Sequence, residues 1–254
     1  MKAYLAFCRK ELLEFARTFR AWIMLAVFLI IGIMNPLTAK LVPDLLSGID
    51  VGGMVLELPE PTALDSWTQF FKNTSQLGLV ALIILFIGIT AHEFSKSTLT
   101  NLLTKGVPRH TIIEAKSTVA LLAWTLAYLI TLGVTWGYTV FYWGPQQLPH
   151  AVLAFTGPWV FGFFIISLLI LGGVWFGNIY GPLLLSATAV IVLSAINIIP
   201  TVVPYNPITL TAGVLGLFTG EMSVSEITPA LIITLGATLA AITGSILIFN
   251  KKQI

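Results

Sequence analysis

Six long apolar runs, each free of Asp, Glu, Lys and Arg, constrain this 254-residue chain more than any other feature. They occupy residues 21–38, 76–91, 117–141, 159–175, 183–199 and 229–249. A helix needs about 20 mostly apolar residues to cross the hydrocarbon of a bilayer. The fold class expected is therefore an all-α integral membrane protein, a single transmembrane domain over 1–254 with six transmembrane helices. A water-facing surface is excluded on composition: 9% of the residues are charged and 57% hydrophobic, where a soluble domain carries roughly 25% charge.

The six spans also sort the charges. Lys2, Arg9, Lys10, Arg17, Arg20, Lys96, Lys105, Arg109, Lys116, Lys251 and Lys252 fall on one side, and only Lys40 and Lys72 on the other. Asp44, Asp50, Glu57, Glu60, Asp65, Glu221 and Glu226 gather on the basic-poor side. Cytoplasmic flanks retain Lys and Arg, so both termini are expected in the cytoplasm and the chain in the cell membrane as a multi-pass protein. The lipid bilayer is its first partner. The net charge of +2 is too small and too sided to imply nucleic acid. Pro36 alone among the prolines is expected inside a span; the others fall between spans or at their ends. Trp22, Tyr138, Tyr142, Trp143, Trp175 and Tyr180 lie where headgroups should be.

Residues 1–20 are amphipathic. At 100° per residue, Tyr4, Leu5, Cys8, Leu12, Phe15, Ala16 and Phe19 share one arc and Lys2, Arg9, Lys10, Glu14, Arg17 and Arg20 the other. This predicts an interfacial helix with its basic face toward headgroups, either anchoring the first span or acting as a lever that follows a partner. The single Cys8 excludes an internal disulfide. The first apolar run is long enough to span and should be retained as a signal anchor. Residues 42–75 are acidic and rich in Gly and Pro, predicting an irregular or partly helical outer cap. Residues 200–228 contain an apolar stretch, 208–218, too short to cross, which predicts a re-entrant or interfacial helix.

Familiar catalytic patterns are incomplete. His92-Glu93 opens an H-E-x-x-H pattern whose fifth position is Lys96, so the zinc ligand count fails. No G-x-S-x-G, no paired carboxylates at membrane depth and no G-x-x-x-x-G-K-[ST] phosphate loop occur. The chain is thus not expected to hydrolyse ATP. Asn73-Thr74-Ser75 matches a glycosylation acceptor, a pattern that arises easily by chance. Gly133 with Gly137, Gly173 with Gly177, and Gly177 with Gly181 have helix-packing spacing, for contacts within the bundle or between subunits.

The segment 92–116 carries the most information. Ser95 or Ser97 can cap a short helix over 95–105. Leu99, Leu102 and Leu103 form an i, i+3, i+4 stripe, Gly106 suits the left-handed position after the last turn, and Pro108 blocks continuation. A short helix across the cytoplasmic face, with apolar knobs and basic flanks, suits insertion into a groove of a soluble partner; the plain alternative is a connecting helix folded on the bundle.

Glu93 followed by Ser97-Thr98-Leu99-Thr100-Asn101-Leu102-Leu103-Thr104-Lys105-Gly106-Val107-Pro108-Arg109 and ending at Lys116 resembles the cytoplasmic loop of ABC-2 type permeases, the membrane subunits of many bacterial ABC exporters. Arg9-Lys10-Glu11-Leu12 is similar to that family's lead-in helix, and Tyr205-Asn206-Pro207-Ile208-Thr209-Leu210 to its Asn-Pro segment after the fifth span. Lys105-Gly106 departs from the Pro-containing turn that more often follows the loop helix. The resemblance implies a permease subunit, not an enzyme, paired with an identical or related second permease subunit and with two ATP-binding subunits. ATP and Mg would sit on those partners, and this chain would hold no cofactor. It also implies a coupling helix whose docking residues are Leu99, Thr100, Leu102, Leu103, Lys105, Gly106, Val107, Pro108 and Arg109. Closure of the ATPase subunits would move that helix and rock the membrane halves between inward- and outward-open states. Charge-free spans lean toward an apolar or amphipathic passenger, while Thr, Ser and Asn from two subunits would suit a polar one. Two other readings remain: a membrane enzyme acting on lipid or peptide through Asn178, Ser186 and Asn197, and a non-transporting immunity or assembly protein with a permease fold.

Overall fold

The computed structural model describes residues 2–47, 60–91, 108–211 and 213–252. Among them all regular structure is helical. Helix α1 (Lys2–Arg17) is followed by a sharp turn at Phe19, whose φ of +59° is left-handed, and by α2 (Arg20–Ser47). A second rod comprises α3 (Ala63–Asn73), a π turn (Thr74–Gly78) and α4 (Leu79–Phe86). Then come α5 (Arg109–Trp143), α6 (Ala151–Phe176) and α7 (Tyr180–Ile196). The chain finishes with a one-turn α8 (Gly216–Thr219) and with α9 (Val224–Lys251).

Five of these rods are long and apolar enough to cross a bilayer: Arg20–Pro43, Ala63–Phe86, Arg109–Trp143, Ala151–Phe176 and Val224–Lys251. They define a multi-pass α-helical membrane protein. The sixth apolar helix, α7, has 17 residues, about 25 Å at 1.5 Å per residue.

Several boundaries differ from the sequence expectation, each for a physical reason. The second rod starts at Ala63, not at 76, and takes up part of the segment expected as an outer cap. Its first turns carry Asp65, Gln69 and Lys72, which lower mean hydropathy, yet Ala63, Ser66, Trp67, Phe70, Phe71 and Asn73 repeat at helical spacing and are buried. The Asp65 carboxylate fixes the start by accepting from the Thr62 N–H and hydroxyl, both at 2.8 Å. Pro36, expected in the first span, is indeed inside α2; Pro43, Pro158 and Pro229 were expected at ends but also lie inside helices. Pro158 is tolerated where α6 meets irregular chain: a Cβ on neighbouring Gly157 would stand 2.7 Å from the Leu210 carbonyl oxygen.

The segment expected as a re-entrant or interfacial helix is a string of 3₁₀ turns, Val203–Tyr205, Pro207–Leu210 and Gly213–Leu215, ending in α8. Leu210, Val214, Leu217 and Phe218 from it are buried in the bundle. Asn206 pins its root, donating to Leu193 O at 2.7 Å and Asn197 Oδ1 at 3.1 Å while accepting from the Ile208 N–H. Helix α6 forms the centre of the packing, with α4, α5, α7 and α9 around it. Trp67, Phe70, Phe71, Trp136, Phe155 and Phe218 meet ring to ring beside it, and close approach sets the rest. Gly172 lies against the Gly181 carbonyl and Pro182, whereas Gly177 takes the left-handed position that ends α6. Gly133 and Gly137 have nothing within 4 Å of a Cβ, so this pair makes no helix contact within the described residues.

Candidate functional site: a basal helix-end cluster and a buried polar seam

Of the residues expected to dock a partner, Leu99, Thr100, Leu102, Leu103, Lys105, Gly106 and Val107 lie outside the described residues. Pro108 is the exposed N-cap of α5 and Arg109 its first residue. The Arg109 side chain is turned back onto the bundle. Its Nη1 donates to the carbonyls of Phe249 (2.8 Å), Asn250 (3.4 Å) and Lys252, with the guanidinium 5.7 Å from the Phe249 ring centre. Lys252 in turn donates to Val174 O (2.7 Å) and Trp175 O (3.1 Å) at the end of α6. Cations at helix C-termini satisfy carbonyls that have no partner along the helix. Together the two residues tie the start of α5 to the ends of α9 and α6. Removal from water holds the Lys252 ammonium below the ordinary lysine value.

Helix α1 closes the same, basal end. Glu11 accepts from Lys116 at 2.9 Å, and both are buried; Lys10 bridges to Glu11 and to Glu14, each at 2.8 Å. Tyr4 hydrogen-bonds Thr118 at 2.8 Å, and Phe15 stacks on Phe86 with centroids 5.5 Å apart. The apolar arc expected from the sequence is thereby split. Tyr4, Phe7, Cys8, Glu11 and Phe15 face the bundle, while Leu5, Leu12, Ala16 and Phe19 are exposed beside Arg9 and Arg17. The sequence marks Glu11 within the lead-in segment but not its burial or its pairing, because its cation, Lys116, is 105 residues away. For Glu14, burial works to raise the carboxyl, but the Lys10 bond and the charges of Lys10, Lys116 and Arg20 carry it below its ordinary value.

A second cluster lies in the half of the bundle away from that basal end. On α5, Thr131, Thr135 and Thr139 recur every four residues, all buried. Thr131 donates to Phe28 O (2.8 Å) and Thr135 to Gly32 O (3.0 Å) across the contact with α2. Thr135 also accepts from Asn35 Nδ2 at 3.0 Å, and Asn35 Oδ1 accepts from Asn73 Nδ2 at 2.9 Å. Ser66 meets Thr139 at 2.7 Å. This seam is neutral and joins α2, α3 and α5. Its composition suits hydrogen-bond exchange and gives no charge to an ion. The same bonds take Asn73 out of the glycosylation reading, since its amide is buried inside the bundle. The seam was half legible: threonines at a period of four mark one face, but nothing in the sequence pairs Asn35 with Asn73.

Asn178, Ser186 and Asn197 are not brought together. Asn178 caps the start of α7 by accepting from the Tyr180 and Gly181 N–H groups, and Ser186 bonds its own helix at Pro182 O. Asn197 accepts from Asn206 and Thr209. Among the described residues no three His, Cys, Asp or Glu side chains are placed to hold a metal ion. Compared with known proteins, the chain matches no family model and no curated protein.

Proposed function

We propose that this chain is the permease subunit of an ATP-binding cassette exporter of the ABC-2 type, powered by separate ATPase subunits. The observation that carries the reading is the bracing of the loop between α4 and α5. Helix α1 grips the chain before that loop through Phe15 on Phe86, and after it through Glu11 on Lys116 and Tyr4 on Thr118. Arg109, where the chain leaves the loop, is fastened to the end of α9. Force applied at residues 92–107 would therefore reach α1, α5 and α9 together, which is what a coupling element requires. In this reading α7 is the sixth span, crossing a bilayer thinned to its length, both termini are cytoplasmic in the cell membrane, and the loop carries the coupling helix at Leu99–Arg109.

The partners follow from the reading: two ATP-binding subunits, with ATP and Mg bound there, and a second permease subunit. Asn178 and Ser186 are occupied within their own turns and Asn197 holds Asn206 and Thr209, so the reading of a membrane enzyme gains nothing from them. Purification of the tagged chain from native membranes is expected to bring down an ATPase subunit. Leu102→Glu combined with Leu103→Glu should abolish that association while the permease itself still assembles in the membrane; retention of the ATPase by the double variant would refute the docking role.

A further inference from the structure

We propose that the π turn Thr74–Gly78 and the neighbouring Trp67 form a water-binding track inside the membrane domain, in which water hydrogen-bonds the Thr74 and Ser75 hydroxyls and the Trp67 indole N–H. Among the described residues the buried side-chain polar atoms with no protein partner are Trp67 Nε1, Thr74 Oγ1 and Ser75 Oγ. All three lie within residues 67–75 of one rod, and Trp67 and Thr74 are each only 1% exposed.

The other buried hydroxyls show what a dry helix does with such groups. Ser117, Ser186, Thr234, Thr238 and Ser245 each donate to the carbonyl four residues back, at 2.6–2.8 Å. Thr74 and Ser75, where the rod passes from α3 into the π turn, do not. The Thr74 N–H is itself shared between Phe70 O and Phe71 O. A π turn inside an α-helix is rare and tends to mark a functional position. In hydrocarbon an unsatisfied hydroxyl or indole N–H is strongly unfavourable, so the groups require a ligand that supplies both donors and acceptors.

The chemistry selects that ligand. An indole N–H only donates, and a hydroxyl both donates and accepts. The adjoining Asn73, Asn35 and Thr135 are neutral amides and a hydroxyl. These adjoining groups carry no charge to attract an ion, and a small neutral donor–acceptor fits each of them. Trp67 is walled by Phe70, Trp136, Phe155 and Phe218 on its ring faces and edges, which leaves the N–H as its polar contact. Thr74 follows Trp67 by seven residues on the same side of the rod, about 10 Å along the axis, so the track runs from the α3 half of the rod to its middle.

Radiolytic hydroxyl-radical labelling of the full chain in lipid nanodiscs tests it, because radicals formed from bound water mark the side chains beside that water. Trp124 is the internal control: it is as buried as Trp67, but its indole N–H is satisfied by Trp159 O at 2.9 Å. Oxidation is expected at Trp67 and Phe71 and not at Trp124. Thr74→Val combined with Ser75→Ala, which keeps size and removes both hydroxyls, should abolish the Phe71 label. Trp67 as unreactive as Trp124 in the native chain would overturn the proposal. A Phe71 label unchanged by the double variant would overturn the role of the turn.

Discussion

A single methyl group separates two kinds of glycine in this chain. At Gly172 a Cβ would stand 2.8 Å from the Gly181 carbonyl oxygen and from Pro182 Cα, both backbone atoms that cannot swing away. Gly172→Ala is expected to destabilise the bundle by about 1–3 kcal/mol, the usual cost of overpacking. Gly133→Ala meets open space and should leave the melting temperature in a nanodisc unchanged or slightly raised. Thermal unfolding of the two variants side by side checks the contrast. The buried Glu11–Lys116 pair gives a second contrast. Glu11→Gln leaves the Lys116 ammonium buried without its charge partner, and removing one member of a buried pair costs about 3–5 kcal/mol. Glu14→Gln touches an exposed pair and should cost far less. Neither distinction was available from the sequence: Gly133 and Gly172 both lie in apolar helices, and Glu11 and Glu14 are three residues apart on one helix. What separates them is the neighbour supplied by another element.

At the scale of elements, the apolar rods were legible because hydrocarbon tolerates only long runs with satisfied backbone. The starts of the second and fourth rods were not, since Asp65, Gln69 and Lys72 dilute α3 and Pro158 interrupts α6. For α3 the missing signal was present as period rather than hydropathy, in Trp67, Phe70, Phe71 and Thr74. Helix α1 was anticipated as amphipathic, but its bundle-facing stripe runs through a carboxylate that amphipathic analysis assigns to water. This helix should also respond to acid. The carboxyl of Glu14 is lowered in the fold, so its contribution is present above the unfolded value and is lost as pH falls through the lowered one. Protection of the α1 amides, measured as exchange relative to the intrinsic rate at each pH, is therefore expected to fall on acidification below the ordinary carboxylate range, and Glu14→Gln should blunt that response. Arg109→Ala removes the donors that hold the end of α9. Exchange at the amides of residues 249–252 should then rise while the middle of α9 stays protected; an unchanged end would show that Arg109 does not fasten it.

The whole molecule reads as a bundle built around α6, of which 72% is buried in its most apolar window. Its basal end is drawn together by α1, Arg109 and Lys252, and its opposite half is stitched by neutral hydrogen bonds. The sided charge of the sequence falls at that basal end: Lys10, Arg109, Lys116 and Lys252 all work there on carbonyls or carboxylates of the same chain. Charge that looked available for partner docking is thus partly used within the bundle. As the proposed permease subunit, the chain would seat a separate ATPase on residues 92–107. That seating is tested most directly by placing a photo-crosslinker on the lone cysteine of a Cys8→Ser, Thr100→Cys chain in native membranes. An adduct with an ATP-binding subunit is expected, its yield changing on addition of ATP. Crosslinks confined to lipid or to this chain itself would contradict it.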